Sequence, residues 1–181
     1  MVQCEQCSNV FRVIGDALNL RLDTSVLLEM AARSFVEQFD LKGCHFRVLS
    51  RDQQTLDHVA SHGLSQSFLD KGPVDAERSV AEALEGKVVA VSECTTDPRA
   101  PHPQAFAAEG IASMLTVPLE TRGQVIGVMR LMTSERREFA EDEIEFFKMT
   151  ALFCTSAIID SMFHNILGHV TEAIQESLEL G

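Results

Sequence analysis

The chain has 181 residues, 45% of them hydrophobic and 23% charged, which is typical of one folded domain with a core of its own. Its formal net charge of −12 argues against nucleic-acid binding, which needs a basic surface, and disfavours adsorption to anionic membranes. No apolar run approaches the ~18 residues that a transmembrane helix requires, so we expect no membrane partner.

The first residues and the cysteines indicate where the protein resides. The N-terminus lacks the basic segment and apolar core of a signal peptide, so we expect a cytoplasmic location. The five cysteines are an odd number, and in a cytoplasmic chain they are expected to be reduced thiols and not a disulfide framework.

Two helices are predicted at the start of the chain. Apolar residues recur at helical spacing over 8–20, with Ser8 as a candidate N-cap. A second apolar stripe follows a cap at Thr24 or Ser25 and ends near residue 40.

Short strands and short helices follow in the middle of the chain. In order, they are strands at 44–50 and 56–62 joined as a hairpin, one helical turn in the loop 63–73, a helix at 77–87, a strand at 88–93, a proline-rich loop at 94–104 and a helix at 105–110.

The last part of the chain predicts a hairpin and a long helix. The hairpin strands are 112–119 and 125–132, and the helix begins in the acidic segment 139–147 and continues to about residue 179. This order of elements predicts the α+β class with one mainly antiparallel sheet. We expect the terminal helices on one face of that sheet and the middle helices and loops on the other.

Several segments together resemble a GAF domain. The most specific part lies in the last hairpin and the residues before it. The segments are VASHGL (59–64), SVAEALEGKVVAVSE (79–93), DPR (97–99), AAEGIASMLTVPL (107–119) and GQVIGVMRL (123–131). The resemblance divides the chain into an N-terminal segment with a helix (1–24), a GAF domain (25–162) and a C-terminal helical extension (163–181).

The resemblance implies a fold and a general role. It implies a central six-stranded antiparallel sheet, N- and C-terminal helices on one face, and a ligand pocket under short helices and loops on the other. GAF domains are mostly regulatory modules that bind small molecules and act as dimers in signalling proteins. The bilin-binding pattern and the motif of the cyclic-nucleotide-binding members are not evident here, so the ligand and any cofactor stay unidentified.

Alternation along the last hairpin separates two sets of side chains. An all-apolar set is expected under the terminal helices: Leu115, Val117, Leu119, Val125, Met129 and Leu131. A mixed set then faces the implied pocket: Met114, Thr116, Pro118, Ile126, Val128, Arg130 and Met132. A mostly apolar surface with a few polar groups is typical of small-ligand sites.

The predicted ligand-binding residues come from this mixed set and from the loop and helix before it. They are Arg130, Thr116, Met114, Met132, Val128, His102 and Phe106. The planar fork of Arg130 suits a carboxylate or phosphate on a ligand, although it could instead pair with an internal acid or reach solvent. Met114 and Met132 line the pocket or fill the core, and His102 borders the pocket or is an exposed loop residue.

The cysteines suggest no catalytic or metal site by themselves. Cys94 is the candidate for a thiol-dependent reductase, but the sequence lacks the tryptophan-containing motifs of such GAF proteins. Cys4 and Cys7 have the spacing of half a zinc site or of a redox pair, with no second pair following. Cys44 and Cys154 lie on apolar faces and are expected to be buried and unreactive.

The long final helix carries two apolar stripes. Phe147, Ala151, Cys154 and Ile158 can pack on the sheet. A second stripe has coiled-coil spacing and consists of Met149, Leu152, Ser156, Ile159, Phe163, Ile166, Val170 and Ala173. We therefore expect a parallel homodimer, or else a tail that folds back on its own N-terminal helix.

The sequence supports three functions of different classes. The first is a non-enzymatic sensory or regulatory GAF module that binds a small molecule, with an anion as one candidate. It transmits its occupancy through a dimeric helix pair and acts on an effector domain or signalling partner. The second is a structural dimerisation module with a degenerate pocket. The third is a thiol-dependent reductase of a small molecule.

Overall fold

A computed structural model describes residues 4–20, 22–70, 74–75, 81–100 and 102–179, with side chains over 5–20, 22–70, 81–100 and 102–163. The helices are α1 (Cys4–Asn19), α2 (Thr24–Phe39), α3 (Gln66–Leu69), α4 (81–84), α5 (Pro103–Glu109) and α6 (Glu141–Glu179). The strands are β1 (Gly43–Leu49), β2 (Thr55–His62), β3 (Val74–Asp75), β4 (Val89–Val91), β5 (Ser113–Thr121) and β6 (Gln124–Thr133).

All strand pairs are antiparallel, in the order β3-β2-β1-β6-β5-β4. Five of these strands have three or more residues, and the two-residue β3 completes the sheet at one edge. The predicted α+β class and the antiparallel sheet are thus confirmed. Both predicted hairpins form, and the crossover between them places β1 beside β6 at the centre.

One face of the sheet packs against α1, α2 and α6. Its core contains the predicted all-apolar residues of β5 together with Met129 and Leu131 of β6. Four phenylalanines from α2 and α6 pack edge-on or stacked above them: Phe35, Phe39, Phe146 and Phe147. The α6 stripe predicted to pack on the sheet is buried here, which confirms that part of the prediction.

A bulge in the last hairpin corrects two residue assignments. The pairing of Leu119 with Gly127 is followed by that of Glu120 with Val125, so Ile126 is an extra residue on β6. Such a bulge interrupts the alternation of side chains. Ile126 therefore packs against the helix-side core, and its predicted place on the mixed face was wrong. Val125, opposite Glu120, lies on the other face from Leu119, so its predicted place under the terminal helices was also wrong.

The predicted helix caps were also wrong. Helix α1 begins at Cys4, so Ser8 lies inside it. The N-cap of α2 is Asp23, with no side-chain capping hydrogen bond. The hydroxyl of Thr24 instead donates to the carbonyl of Ala157 at 3.3 Å, which ties the start of α2 to α6.

The start of α6 is held by the residues that follow β6. The hydroxyl of Ser113 on β5 accepts the backbone N–H of Arg137 at 2.8 Å. The guanidinium of Arg137 donates to the carbonyl of Phe39 at 3.1 Å and forms an ion pair with Glu143 in the first turn of α6. The segment after β6 therefore couples the start of β5, the end of α2 and the start of α6.

Part of α6, Glu141–Phe163, has the length and hydropathy of a membrane span. Of its most apolar window, 44% is buried within the protein. Packing on the sheet accounts for that buried part only, and the expected absence of a transmembrane helix stays a prediction.

Candidate functional site

The face of the sheet opposite the terminal helices carries a second, smaller core. Its floor is apolar residues of β5 and β6, namely Met114, Val128 and Met132. Its cover comes from α3, α4, α5 and the loop between β4 and α5, and includes Phe68, Ala83, Cys94, Ala100 and Phe106. The rings of Phe68 and Phe106 lie 5.8 Å apart, centroid to centroid, so α3 and α5 meet over this face.

Polar side chains form a row across the central strands beneath this cover. His45 on β1 pairs with Arg130 on β6, and Arg130 pairs with Thr116 on β5. All three are buried, with Arg130 only 3% exposed. Since neighbouring strands in a sheet place directly opposite residues on the same face, these side chains lie next to one another.

Arg47 adds a second buried cation two residues after His45. It is 3% exposed, and its Nη1 donates to the carbonyl of Leu56 at 2.8 Å. Burial lowers the pKa of Arg47, while the nearby carboxylate of Asp57 opposes that shift. Burial, and then the charge of Arg47, lower the pKa of the neighbouring His58.

Burial and neighbouring charges shift the pKa values of the ionisable groups on this face. Burial, and then the positive charge of Arg47, lower the pKa of Arg130 to about 10, while Cys94 opposes the shift. Arg130 therefore stays cationic at neutral pH but is less stable in that form than in water. Burial raises the pKa of Cys94 to about 11, although Arg130 favours its thiolate.

The structure brings together most of the ligand-binding residues that the sequence predicts. Arg130, Thr116, Met114, Val128 and Met132 are all buried on this face. Phe106 is buried in its cover.

His102 does not join them. It is exposed at the N-cap position of α5 and makes no side-chain capping bond. The proline at the next position begins the helix, and this leaves the histidine at its outer end.

Sequence reasoning missed two polar residues and one aromatic residue of this site. Alternation along β1 put His45 and Arg47 on the face opposite Phe46, but the sequence did not show that β1 lies beside β6. Phe68 was missed because it stands in a four-residue helix within a loop. The pairing of β1 with β6 is the information that would have found His45 and Arg47.

No metal site is evident in the part of the chain that the structure describes. There, no group of three or more His, Cys, Asp or Glu side chains is arranged to hold a metal ion. The side chain of Cys7 is half-buried, and that of Cys4 lies outside the described residues. The alternatives for the Cys4–Cys7 pair therefore stay open.

The sequence matches a known family, and the fold is consistent with that match. The sheet is antiparallel, with the terminal helices on one face and a covered polar row on the other. The sequence matches the family model for the GAF domain over residues 8–158. The chain belongs to the GAF domain family. None of the curated proteins is significantly similar to it in sequence.

Solved GAF domains share this fold at low sequence identity. The GAF domain of a phosphoenolpyruvate-protein phosphotransferase from Coxiella burnetii is 14% identical, with a TM-score of 0.74 over 88% of this chain and 98% of that one. The phycoerythrobilin-bound GAF domain of a cyanobacterial phytochrome is 16% identical, with a TM-score of 0.73 over 90% of this chain and 100% of that one.

An enzyme has the same fold. Free methionine-R-sulfoxide reductase from Neisseria meningitidis, solved with its substrate, is 17% identical, with a TM-score of 0.71 over 86% of this chain and 89% of that one. At these identities the likeness shows the fold alone. GAF domains are generally sensory modules that bind small molecules. Any more specific function of this chain has to be argued from its own residues.

Proposed function

We propose that this GAF domain is a sensory module that binds a small anionic molecule on the face carrying Arg47 and Arg130. The observation that carries the proposal is the burial of two guanidinium groups, each 3% exposed, close enough for one to lower the pKa of the other. Two guanidinium groups on one face create a positive potential that favours an anionic ligand group. A carboxylate or phosphate group matches the planar fork of arginine, and Thr116 adds a hydroxyl beside it.

The apolar residues around the cations suit the rest of such a ligand. Met114 and Met132 are flexible, and Phe68 and Phe106 offer aromatic surface in the cover. A mainly apolar site with few polar groups gives orientation and specificity to small organic molecules. We therefore favour an organic acid or organic phosphate over a simple inorganic ion.

The proposal includes no catalytic step. A nucleophilic cysteine needs a thiolate, and burial raises the pKa of Cys94 to about 11, so this thiol is protonated at neutral pH. Cys44 and Cys154 lie in the helix-side core, away from the arginine face. These features disfavour the thiol-dependent reductase.

A thermal-shift screen tests the ligand. The panel pairs carboxylic acids and phosphate esters with their neutral amides and alcohols, because a ligand that binds only the folded state raises Tm. We expect stabilisation by some anions and by none of their neutral partners. Arg130→Met should abolish the shift, while Arg51→Met, at an exposed position of the β1–β2 turn, should retain it.

The opposite result identifies the structural alternative. If no anion shifts Tm and Arg130→Met only destabilises the protein, Arg130 has an internal role and the pocket is degenerate. Shifts by neutral compounds that survive Arg130→Met would retain a sensor but reject the anionic ligand.

We further propose that occupancy is transmitted through paired α6 helices. One side of α6 packs on the sheet, while Met149, Leu152 and Phe163 of the seam are exposed large apolar residues. Exposed apolar stripes of this kind mark interaction surfaces. At ~1.5 Å per residue the helix is ~58 Å long, which exceeds what the sheet can cover. The seam positions Ile166, Val170 and Ala173 lie outside the described side chains.

Sedimentation tests this pairing. The full chain should sediment as a dimer at micromolar concentration, and a version ending at Met162 should dissociate more readily, since it lacks the distal seam. If both sediment as monomers, helix pairing is not the output of this domain and the tail has another role. An effector domain or signalling partner would then have to contact the helices directly.

A further inference from the structure

A polar contact joins the two helices that cover the arginine face. Glu109 is the last residue of α5, and its side chain is 7% exposed. Its carboxylate accepts the backbone N–H of Ser65 at 2.7 Å and also the hydroxyl of Ser65. Ser65 is the N-cap of α3, where its hydroxyl accepts the N–H of Phe68 at 3.2 Å. The end of one helix therefore holds the beginning of the other.

An apolar contact lies one turn away. Phe68 of α3 and Phe106 of α5 are both buried, and they stand three residues from Ser65 and Glu109 respectively. Residues three apart lie on the same side of a helix. The two helices are therefore joined at two neighbouring points, one polar near the surface and one apolar over the site.

The Ser65 side of this contact is firmly placed. Gly63 has φ of 78°, and a Cβ there would lie 2.5 Å from the carbonyl oxygen of Lys42, so the backbones pass in close contact. The ammonium of Lys42 donates to the carbonyl of Gly63 at 3.3 Å and lies 3.9 Å from the carboxylate of Glu109. The end of β2 thus fixes Ser65, and Glu109 attaches α5 to that fixed point.

We propose that Glu109 is a latch between α5 and α3, and that its release opens the cover of the arginine face. The inference rests on the proposed function only in taking this face as the ligand site. A carboxylate with several donors is a strong contact, but it involves one residue of α5. Breaking it frees the end of α5, while the helix-side core and the pairing of the strands stay intact.

Cys94 reports on this opening in the native chain. It is buried in the cluster that contains Phe68 and Phe106, so its thiol is protected while the cover is closed. Cys44 and Cys154 are buried in the helix-side core, which the latch does not cover, and serve as internal controls for global unfolding. Short exposures to N-ethylmaleimide, followed by digestion and mass spectrometry, give the modification rate of each cysteine.

We expect Glu109→Ala to raise the modification rate of Cys94 about tenfold, the effect of losing one charge-assisted hydrogen bond. The rates of Cys44 and Cys154 should not change. Ser65→Ala removes the hydroxyl donor but keeps the backbone N–H donor, so it should give a smaller increase. The double variant should differ little from Glu109→Ala alone, because Glu109→Ala already removes both contacts. Glu85→Ala, which removes an exposed carboxylate paired with Lys87, should have no effect.

Three results would overturn the latch. The rate of Cys94 could stay unchanged in Glu109→Ala, all three buried thiols could accelerate together, or the effects of Ser65→Ala and Glu109→Ala could add. If Glu109→Ala does not fold, Glu109→Gln keeps the shape, removes the charge, and should give a smaller increase confined to Cys94. An anion screen without hits would remove the proposed function while leaving a latch-dependent Cys94 rate intact.

Discussion

His45 on β1 lies directly opposite Arg130 on β6, and both side chains are almost completely buried. Both strands are central in the sheet, and Arg47 adds another buried cation on β1. Apolar residues would fill this space at lower cost in desolvation. We propose that the polar row serves ligand binding and not packing alone, and the following predictions separate the two roles.

The geometry of Arg130 matters as well as its charge. Arg130→Lys keeps a cation but replaces the planar fork with a single ammonium group. For an anion found in the thermal-shift screen, we expect Kd to rise about tenfold or more, measured by titration calorimetry. Unchanged affinity would mean that Arg130 acts only as a distant charge or does not contact the ligand.

The helix-side core should dominate stability. Phe147 of α6 is fully buried against α2 and the sheet. Phe147→Ala should therefore cost about 3–5 kcal/mol of unfolding free energy, measured by urea titration. Phe163→Ala, on the exposed side of the same helix, should cost well under ~1 kcal/mol in the monomer. Similar costs for the two would contradict the packing described for α6.

Gly127 permits the pairing of β1 with β6. A Cβ at this position would lie 2.3 Å from the carbonyl oxygen of Arg47 and 2.9 Å from the Cα of Val48, both backbone atoms. Gly127→Ala must therefore separate the two strands, and we expect a loss of about 3 kcal/mol or more.

The matched control is Gly15→Ala in α1, where no atom lies within 4 Å of the added Cβ. That change should stabilise the protein by about 0.5–1 kcal/mol, because alanine favours the helix. Urea titrations of both variants measure the difference, and a neutral Gly127→Ala would show that the strands are less closely paired.

The exposed seam of α6 should determine the oligomeric state. Leu152 is 58% exposed, and Leu152→Glu places a charge within the proposed interface. We expect the variant to sediment as a monomer with little change in thermal stability of the domain. Lys148→Ala, which alters an exposed charge one turn earlier, should remain dimeric; dimers of both variants would place the interface elsewhere.

Alkaline pH should destabilise the protein through its buried thiols. Burial raises the pKa of Cys154 from 9.0 to about 12, and burial together with Cys154 raises that of Cys44. Above pH 9 the unfolded chain loses thiol protons that the folded chain retains, so stability falls as pH rises from 9 towards 12.

Cys154→Ala should reduce this loss, seen as a shallower decline of unfolding free energy across the same range. The chain contains no tyrosine, which removes one other group that titrates there. An equally steep decline in Cys154→Ala would mean that other groups cause it.

The elements and their faces were largely predictable. Apolar periodicity placed α2 and α6, and alternation in β5 separated Leu115 and Val117 from Met114 and Thr116, as the structure has them. Ile126 was misplaced because a bulge depends on how two strands pair, and neither strand shows it alone. Ser8 was taken for a cap because the part of α1 before it is only four residues long, too short to show the helical repeat of apolar residues.

By itself, the sequence determined the α+β class, the two-sided sheet, the GAF family and the place of Arg130 away from the terminal helices. These follow from local periodicity and from motifs within single strands and helices. Only the tertiary structure decided that His45 and Arg47 share a face with Arg130, and that Glu109 meets Ser65. Those pairs come from strands and helices far apart in the chain, and their contact depends on the crossover that sets β1 against β6 and brings α3 to α5.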